Sequence, residues 1–246
     1  MYIKTQGLVL RENAYKESSR MLTVLTSTEG KITVSARGAK RRGSKTAASS
    51  QLLAFSDMTL FHDRGRYVLT EARSIELFLG LREDLNLLSL GMYFAELLEA
   101  MSDEDMPNPE LLSLGLNGLY ALSEGKNLPK LIKAAFELRL MCIAGFEPIL
   151  DGCMICGKQD MKSPVLSLSG GGVRCAECGD GTDERLALTS GMLSAMRYIT
   201  GSDAKKIYGF TVGQETADGL SKVCESYLLT QLGGHFSSLD FYHSLI

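Results

Sequence analysis

No apolar run in the 246-residue chain approaches the roughly 20 residues that a bilayer-spanning helix requires, and the chain holds only 5 prolines. The first shortage argues against a membrane protein and the second against a collagenous or long disordered chain. Histidine is scarcer still. His62, His235 and His243 show no pairing with a nucleophile or carboxylate that would build a hydrolytic site, so they read as solvated surface. The amino-terminal segment MYIKTQGLVLRENAYK breaks its apolar run at Arg11 and Glu12 and offers no small-residue cleavage site, so no secretory signal is read and a cytoplasmic protein is expected. Internal repeats and low-complexity tracts are also missing. What remains is 45% apolar and 22% charged, the composition of a soluble globular chain, long enough at roughly 150 residues per domain for two units and a small insert.

The net charge of -3 conceals an asymmetry. Up to Arg82 there are 14 Lys and Arg against 7 Asp and Glu, and beyond it 12 against 22. A basic amino-terminal unit is what a polyanion seeks, while an acidic remainder argues against nucleic acid covering the whole surface. An uneven but solvated polar surface is the plain alternative.

To about Ser74 the chain alternates in the two-residue rhythm of strands. Leu22 and Val24 share one face with Met21, Thr23 and Leu25 on the other, and Ile32, Val34 and Ala36 repeat the pattern. Turns are signalled at Ser27 to Gly30 and at Asp63 to Gly65. Five short strands in roughly 75 residues match a small Greek-key barrel such as the OB-fold, and an SH3-like barrel fits nearly as well. From Asn86 the period becomes helical, with Leu87, Leu90, Phe94, Leu97, Leu98 and Met101 in one stripe. Further helices are predicted over 110–123, 130–144, from an N-cap at Thr189 to about 200, and over 215–232. The fold class is therefore α+β: a five-stranded barrel over 1–80, then a mostly helical domain over 81–246 with an insert at 150–182.

That insert carries the most specific signal. Cys153 and Cys156 form one CxxC pair, and after 18 intervening residues Cys175 and Cys178 form another. Two such knuckles place four thiolates at tetrahedral corners with zinc-ribbon spacing. Gly157 and Gly179 suit tight knuckles, and Gly170 to Gly172 a flexible return between them. Four cysteine ligands leave no open coordination position, so the Zn2+ is expected to be structural; iron in the same cage and two disulfides are the alternatives. A deaminase-like site would need a His-x-Glu base, which the sequence does not contain. Cys142 and Cys224 lie among apolar residues at helical spacing and read as packing.

The second signal is Arg37, Lys40, Arg41, Arg42 and Lys45, five cations within nine residues, with Gly38 and Gly43 to let a backbone approach and Ser44 to donate. Such a loop suits phosphodiester backbones, and solvated surface is the alternative. Tyr2, Tyr15, Phe55, Phe61 and Tyr67 are nearby aromatics, some able to stack bases and some needed for core. The loop nearly spells a nucleotide-binding P-loop, but Ser44 separates Gly43 from Lys45 and the neighbouring hairpins are antiparallel, so a nucleotide hydrolase remains only a rival. Arg139 falls within the apolar arc of its helix. It either snorkels or pairs internally, or it anchors an acidic peptide above an apolar floor of Leu131, Phe136 and Ile143, with Lys130 and Lys133 assisting from the polar side.

GLVLRENAYKESSRMLTVLTSTEGKITVSARGAKRRGSK, TEARSIELF, FELRLMCIAGFEPILDGCMICGK and SGGGVRCAEC, in this order, resemble the RecO family of bacterial recombinational repair proteins. The resemblance implies an amino-terminal OB-fold, a helical domain and a zinc knuckle. It further implies a non-enzymatic mediator that binds single- and double-stranded DNA, anneals complementary strands and partners RecR. Such a mediator helps RecA replace single-strand binding protein on DNA gaps, which implies association with the nucleoid. By the same resemblance Arg37, Lys40, Arg41, Arg42 and Lys45 are DNA-contacting, and the Arg139 groove would take the acidic, Phe-ended tail of single-strand binding protein. A zinc-ribbon transcription or translation factor is the remaining rival, sharing the knuckles but not the annealing.

Overall fold

Five strands close into a barrel at the amino-terminal end of the computed structural model, which describes residues 1–178 and 183–246. They are β1 (Tyr2–Tyr15), β2 (Ser19–Thr26), β3 (Lys31–Ala36), β4 (Phe55–Asp63) and β5 (Arg66–Glu76), and they pair in the order β1-β2-β3-β5-β4, with β4 closing on β1. Every pairing is antiparallel except β3 with β5, where Val34 lies beside Tyr67. This Greek-key closure is that of an OB-fold, which decides against the SH3-like alternative. Gly30 and Gly65 adopt φ of 70° and 73° in the two predicted turns, a region where a side chain would be strained.

Val9, Leu22, Val24, Ile32, Val34, Ala36, Met58 and Leu60 fill the barrel, as the alternation predicts. Burial of such a side chain contributes about 1.5–3 kcal/mol relative to exposure. Leu25 and Leu8, which point the other way, are also fully buried. The reason is α1 (Leu85–Met101), which packs on β1 and β2 and turns that part of the outer wall into a second core.

The remaining helices are α2 (Pro109–Glu124), α3 (Pro129–Ile143), α4 (Ser190–Gly201), α5 (Gln214–Leu232) and α6 (Ser237–His243). The predicted cap at Thr189 is present, its hydroxyl accepting from the Met192 amide at 3.2 Å, and α1 starts from a cap the sequence reading did not name, the Asp84 side chain accepting from the Asn86 amide at 2.7 Å. Gly233, at φ 58°, ends α5. The sequence reading missed α6, whose first amides find their acceptor in Glu96 of α1: Ser238 donates to its carboxylate at 2.9 Å and Ser237 at 3.3 Å. The boundary expected near residue 80 marks the change from strand to helix; the compact units are residues 1–124 with 236–246, and residues 125–235. Among the described residues no helix is long and apolar enough to cross a membrane.

The second unit packs α3 against α4 and α5 and carries a three-stranded sheet, β6 (Val165–Ser167), β7 (Gly172–Arg174) and β8 (Arg185–Ala187), in the order β7-β6-β8. Strands of three residues are too short for periodicity to announce, so the region read as loop. Its glycine return is an ordered hairpin turn rather than a flexible one. The Gly170 amide donates to the Ser167 hydroxyl at 3.0 Å and the Gly171 amide to the Ser167 carbonyl at 3.1 Å, while a Cβ on Gly170 would lie 2.3 Å from that hydroxyl. Gln231 on α5 donates to the Leu168 carbonyl at 2.6 Å and Arg197 on α4 to the Leu150 carbonyl at 2.8 Å, which ties the sheet and its knuckles to the helices.

Candidate nucleic-acid interface and metal centre

The basic loop leaves β3 at Arg37 and returns to β4 at Phe55. Its root is latched from inside the barrel wall: Arg20 donates to the Ala47 carbonyl at 2.8 Å and the Ser50 hydroxyl at 2.9 Å, and meets Glu12 at 2.7 Å. Glu12 in turn accepts from the Leu52 amide at 3.1 Å. The loop is therefore fixed at its base while Arg37, Lys40, Arg41, Arg42 and Lys45 are all exposed. Among the described residues none of the five meets a carboxylate. Residues 37–53 form successive turns, so this loop does not lead into the helix that a P-loop uses to hold phosphates.

Arg37 and Arg41 line a groove of about 970 Å³ on the outer face of β2, β3 and β5, walled by the β1–β2 turn and the β4–β5 turn. Lys40, Arg42 and Lys45 stand on the loop outside that lining. Sequence reasoning missed Lys16 and Arg66, which line the same groove from the two turns. Parallel pairing of β5 with β3 is what brings Arg66 into the groove that Arg37 and Arg41 line. Tyr15 and Tyr67 are in the groove too, Tyr15 with the Lys16 ammonium 5.4 Å from its ring centre and Tyr67 stacked on His62 at 4.4 Å. Phe55, by contrast, sits half-buried at the far end of β4. The strand 2–3 face and the two flanking turns are where OB-folds hold oligonucleotides.

The four cysteines converge. Cys153, Cys156, Cys175 and Cys178 place their sulfurs within 4.8 Å of one another, and those of Cys156 and Cys175 lie 3.8 Å apart. A disulfide is about 2.05 Å long, whereas a tetrahedron with metal–sulfur bonds of about 2.3 Å has edges of about 3.8 Å, so the cage has the size of a metal site. In the first knuckle the Gly157 amide donates to the Cys153 carbonyl at 2.8 Å with Gly157 at φ 74°; Gly179 lies outside the described residues. Amides of Cys156, Cys175 and Ile155 pull the Cys153 thiol down to about 6, while the neighbouring Cys156 and Cys175 sulfurs push Cys178 up to about 12. Four thiolates so close cannot all carry charge without a cation among them, and a divalent metal resolves that conflict. Cys142, raised to about 11 by burial and Glu147, and the deeply buried Cys224, raised further by burial, are thiols that pack.

Lys133, expected on the polar side of α3, is instead wholly buried between Glu137 and Glu225, each at 2.7 Å. Burial alone would lower its pKa, but the two carboxylates outweigh it and hold the ammonium charged. It is sealed there because α5 covers that face of α3. Leu131 and Phe136 are core residues as well, not an accessible floor, whereas Ile143 is half-buried. Arg139 is half-buried, donating to the Thr200 carbonyl at 3.1 Å, with its Nε hydrogen-bonded to nothing among the described residues.

The chain is thus an OB-fold protein with a basic groove on its barrel and a metal-sized cysteine cage inserted among its helices. Two family models cover nearly the whole chain: Recombination protein O N terminal over residues 1–78 and Recombination protein O C terminal over residues 82–240. The DNA repair protein RecO of Acetivibrio thermocellus is 32% identical over 99% of this chain and 97% of its own length. Those of Alkaliphilus metalliredigens (32%, 98% and 98%) and Exiguobacterium sibiricum (33%, 93% and 91%) are similar to it as well. The chain belongs to the RecO family of DNA repair proteins.

Proposed function

We propose that this protein is a non-enzymatic mediator of recombinational repair whose barrel binds single- and double-stranded DNA and anneals complementary strands. The observation that carries the reading is the groove between the two barrel turns, which Lys16, Arg37, Arg41 and Arg66 line together with Tyr15 and Tyr67. Lys40, Arg42 and Lys45 extend the same positive surface along the loop. Annealing needs no catalytic side chain: cations reduce repulsion between two strands and release counterions, and base pairing supplies the free energy. The protein acts at the nucleoid, with RecR as partner and RecA loading as the indirect outcome. A strand-annealing assay, with and without single-strand binding protein, tests this; annealing no faster than in buffer overturns it.

In this reading Cys153, Cys156, Cys175 and Cys178 hold one structural Zn2+, which when bound supplies positive charge and four bonds that close the knuckle. Elemental analysis distinguishes zinc from iron, and a metal content near zero in protein with reduced thiols would sink the site. Arg139 is the candidate cation for the acidic tail of single-strand binding protein. The side chain is only half-buried, which supports this, while Lys133, enclosed by its two carboxylates, has no accessible ammonium to assist. Titration calorimetry with the tail peptide decides it: Arg139→Ala should cost about 1–3 kcal/mol of affinity.

A further inference from the structure

Beside the basic groove the barrel carries a smaller cavity of about 390 Å³. Arg37, Arg66 and Val68 line both, and the smaller one adds Tyr2, Phe61 and Asp63. The strand register joins them. Tyr2 is opposite Phe61, Phe61 opposite Val68, Val68 opposite Ser35, and Ser35 opposite Met21. Directly paired residues point to the same side of a sheet, so one transverse row crosses the outer wall from Tyr2 into the basic groove. At its end the Tyr2 and Phe61 rings lie 5.3 Å apart, tilted by 59°, and are 68% and 37% exposed. What sets this pair apart from the other exposed apolar side chains is that its two rings touch each other and share a cavity with two arginines.

We propose that the Tyr2–Phe61 pair is a stacking platform for an unpaired nucleobase at the end of a single strand whose backbone runs through the basic groove, and that it adds affinity for single strands which a duplex does not gain. The inference rests on the DNA-binding reading above and assigns the residues that discriminate between DNA forms. Arg37 and Arg66, common to both cavities, neutralise the phosphates that pass between them. Asp63, which faces Arg66 in the strand register, repels phosphate from the outer rim and keeps the backbone on the arginine side. An aromatic face takes any base, so the platform is indifferent to sequence. Duplex bases already stack on each other and present only their edges, so a duplex keeps the phosphate contacts but gains nothing from the rings.

The test is fluorescence anisotropy on the full chain, with labelled oligothymidine and a duplex of equal length as probes over a range of salt. Tyr2→Ala combined with Phe61→Ala should weaken oligothymidine binding by roughly five- to a hundredfold, the loss of one stacked base, while duplex affinity and the salt slope stay at wild-type values. Tyr2→Leu with Phe61→Leu keeps the apolar bulk without the π face and should show the same selective loss, whereas Tyr2→Phe with Phe61→Tyr should retain wild-type binding. Oligothymidine binding undiminished in the alanine and leucine pairs, or an equal loss for both DNA forms, overturns the platform alone. A wild-type chain that binds neither probe overturns the proposed function and the platform together.

Discussion

In the helical unit Lys130, Lys133, Lys158, Arg174 and Lys206 each lie within 3.2 Å of a carboxylate oxygen, whereas the five cations of the barrel loop, on a smaller stretch of chain, meet none among the described residues. The charge asymmetry of the sequence thus becomes an asymmetry of availability. Acidic residues in the second unit neutralise these five cations locally. On the barrel Glu12 is occupied by Arg20 and holds the loop's root, and the loop's own cations, though Glu17 lines the same groove, form no ion pair among the described residues.

The severest way to break this contrast is to remove the centre that organises the knuckles. Cys153→Ser with Cys175→Ser should abolish metal content and lower the stability of the helical unit by several kcal/mol, read by elemental analysis and thermal melting. Basic-loop DNA contacts should weaken little in that variant; a barrel that loses DNA binding in step with metal would collapse the contrast.

Lys133→Met comes next. Leaving Glu137 and Glu225 without their shared partner should cost about 3–5 kcal/mol in urea unfolding. Because the folded pKa of Lys133 is raised, the wild-type contribution is full below the ordinary lysine range and is lost as pH climbs through the folded value. A stability that does not decline on the alkaline side relative to Lys133→Met would count against the pairing.

Replacing Lys40, Arg41 and Arg42 together by Ala should do the opposite: unfolding should move by no more than about 0.5 kcal/mol, while the slope of log affinity against log salt flattens by roughly one unit per lost contact. An unchanged slope moves the DNA site elsewhere. Smaller again is Glu96→Gln at the α6 cap. Burial would raise the Glu96 pKa, but the hydrogen bonds from Ser238 and Ser237 outweigh it and lower it. Its contribution is therefore present above the ordinary glutamate range and fades as pH falls through the lowered folded value, and the substitution should cost about 0.5–1 kcal/mol near neutrality and nothing in acid. Lys158→Ala removes an exposed partner of Glu177 and should leave the melting temperature unchanged; a clear drop would show that the pair ties the two knuckles together.

Where an element's cause is local, its residues announced it. The Thr189 cap, Pro109 and Pro129 at helix starts, and the alternation of Leu22 to Val24 and Ile32 to Ala36 were readable because capping, φ restriction and a two-residue period act between neighbours in the chain. The four cysteines were equally legible, since each knuckle needs only a turn of a few residues. Lys133 was misplaced because a single helix has a polar face only until another helix covers it, and α5 brings Glu225 from far along the chain.

The sequence by itself determined the barrel's strands, most helices, the metal-sized cage and the location of free positive charge, all of which follow from spacing and composition. Tertiary structure alone decided that β5 joins β3 in parallel and sets Arg66 against Arg37, that Tyr2 and Phe61 share a row with the basic groove, and that α6 is capped from Glu96. Each of these joins residues tens of positions or more apart. Local propensity carries no information on such pairs; closure of the barrel and packing of helices bring them together.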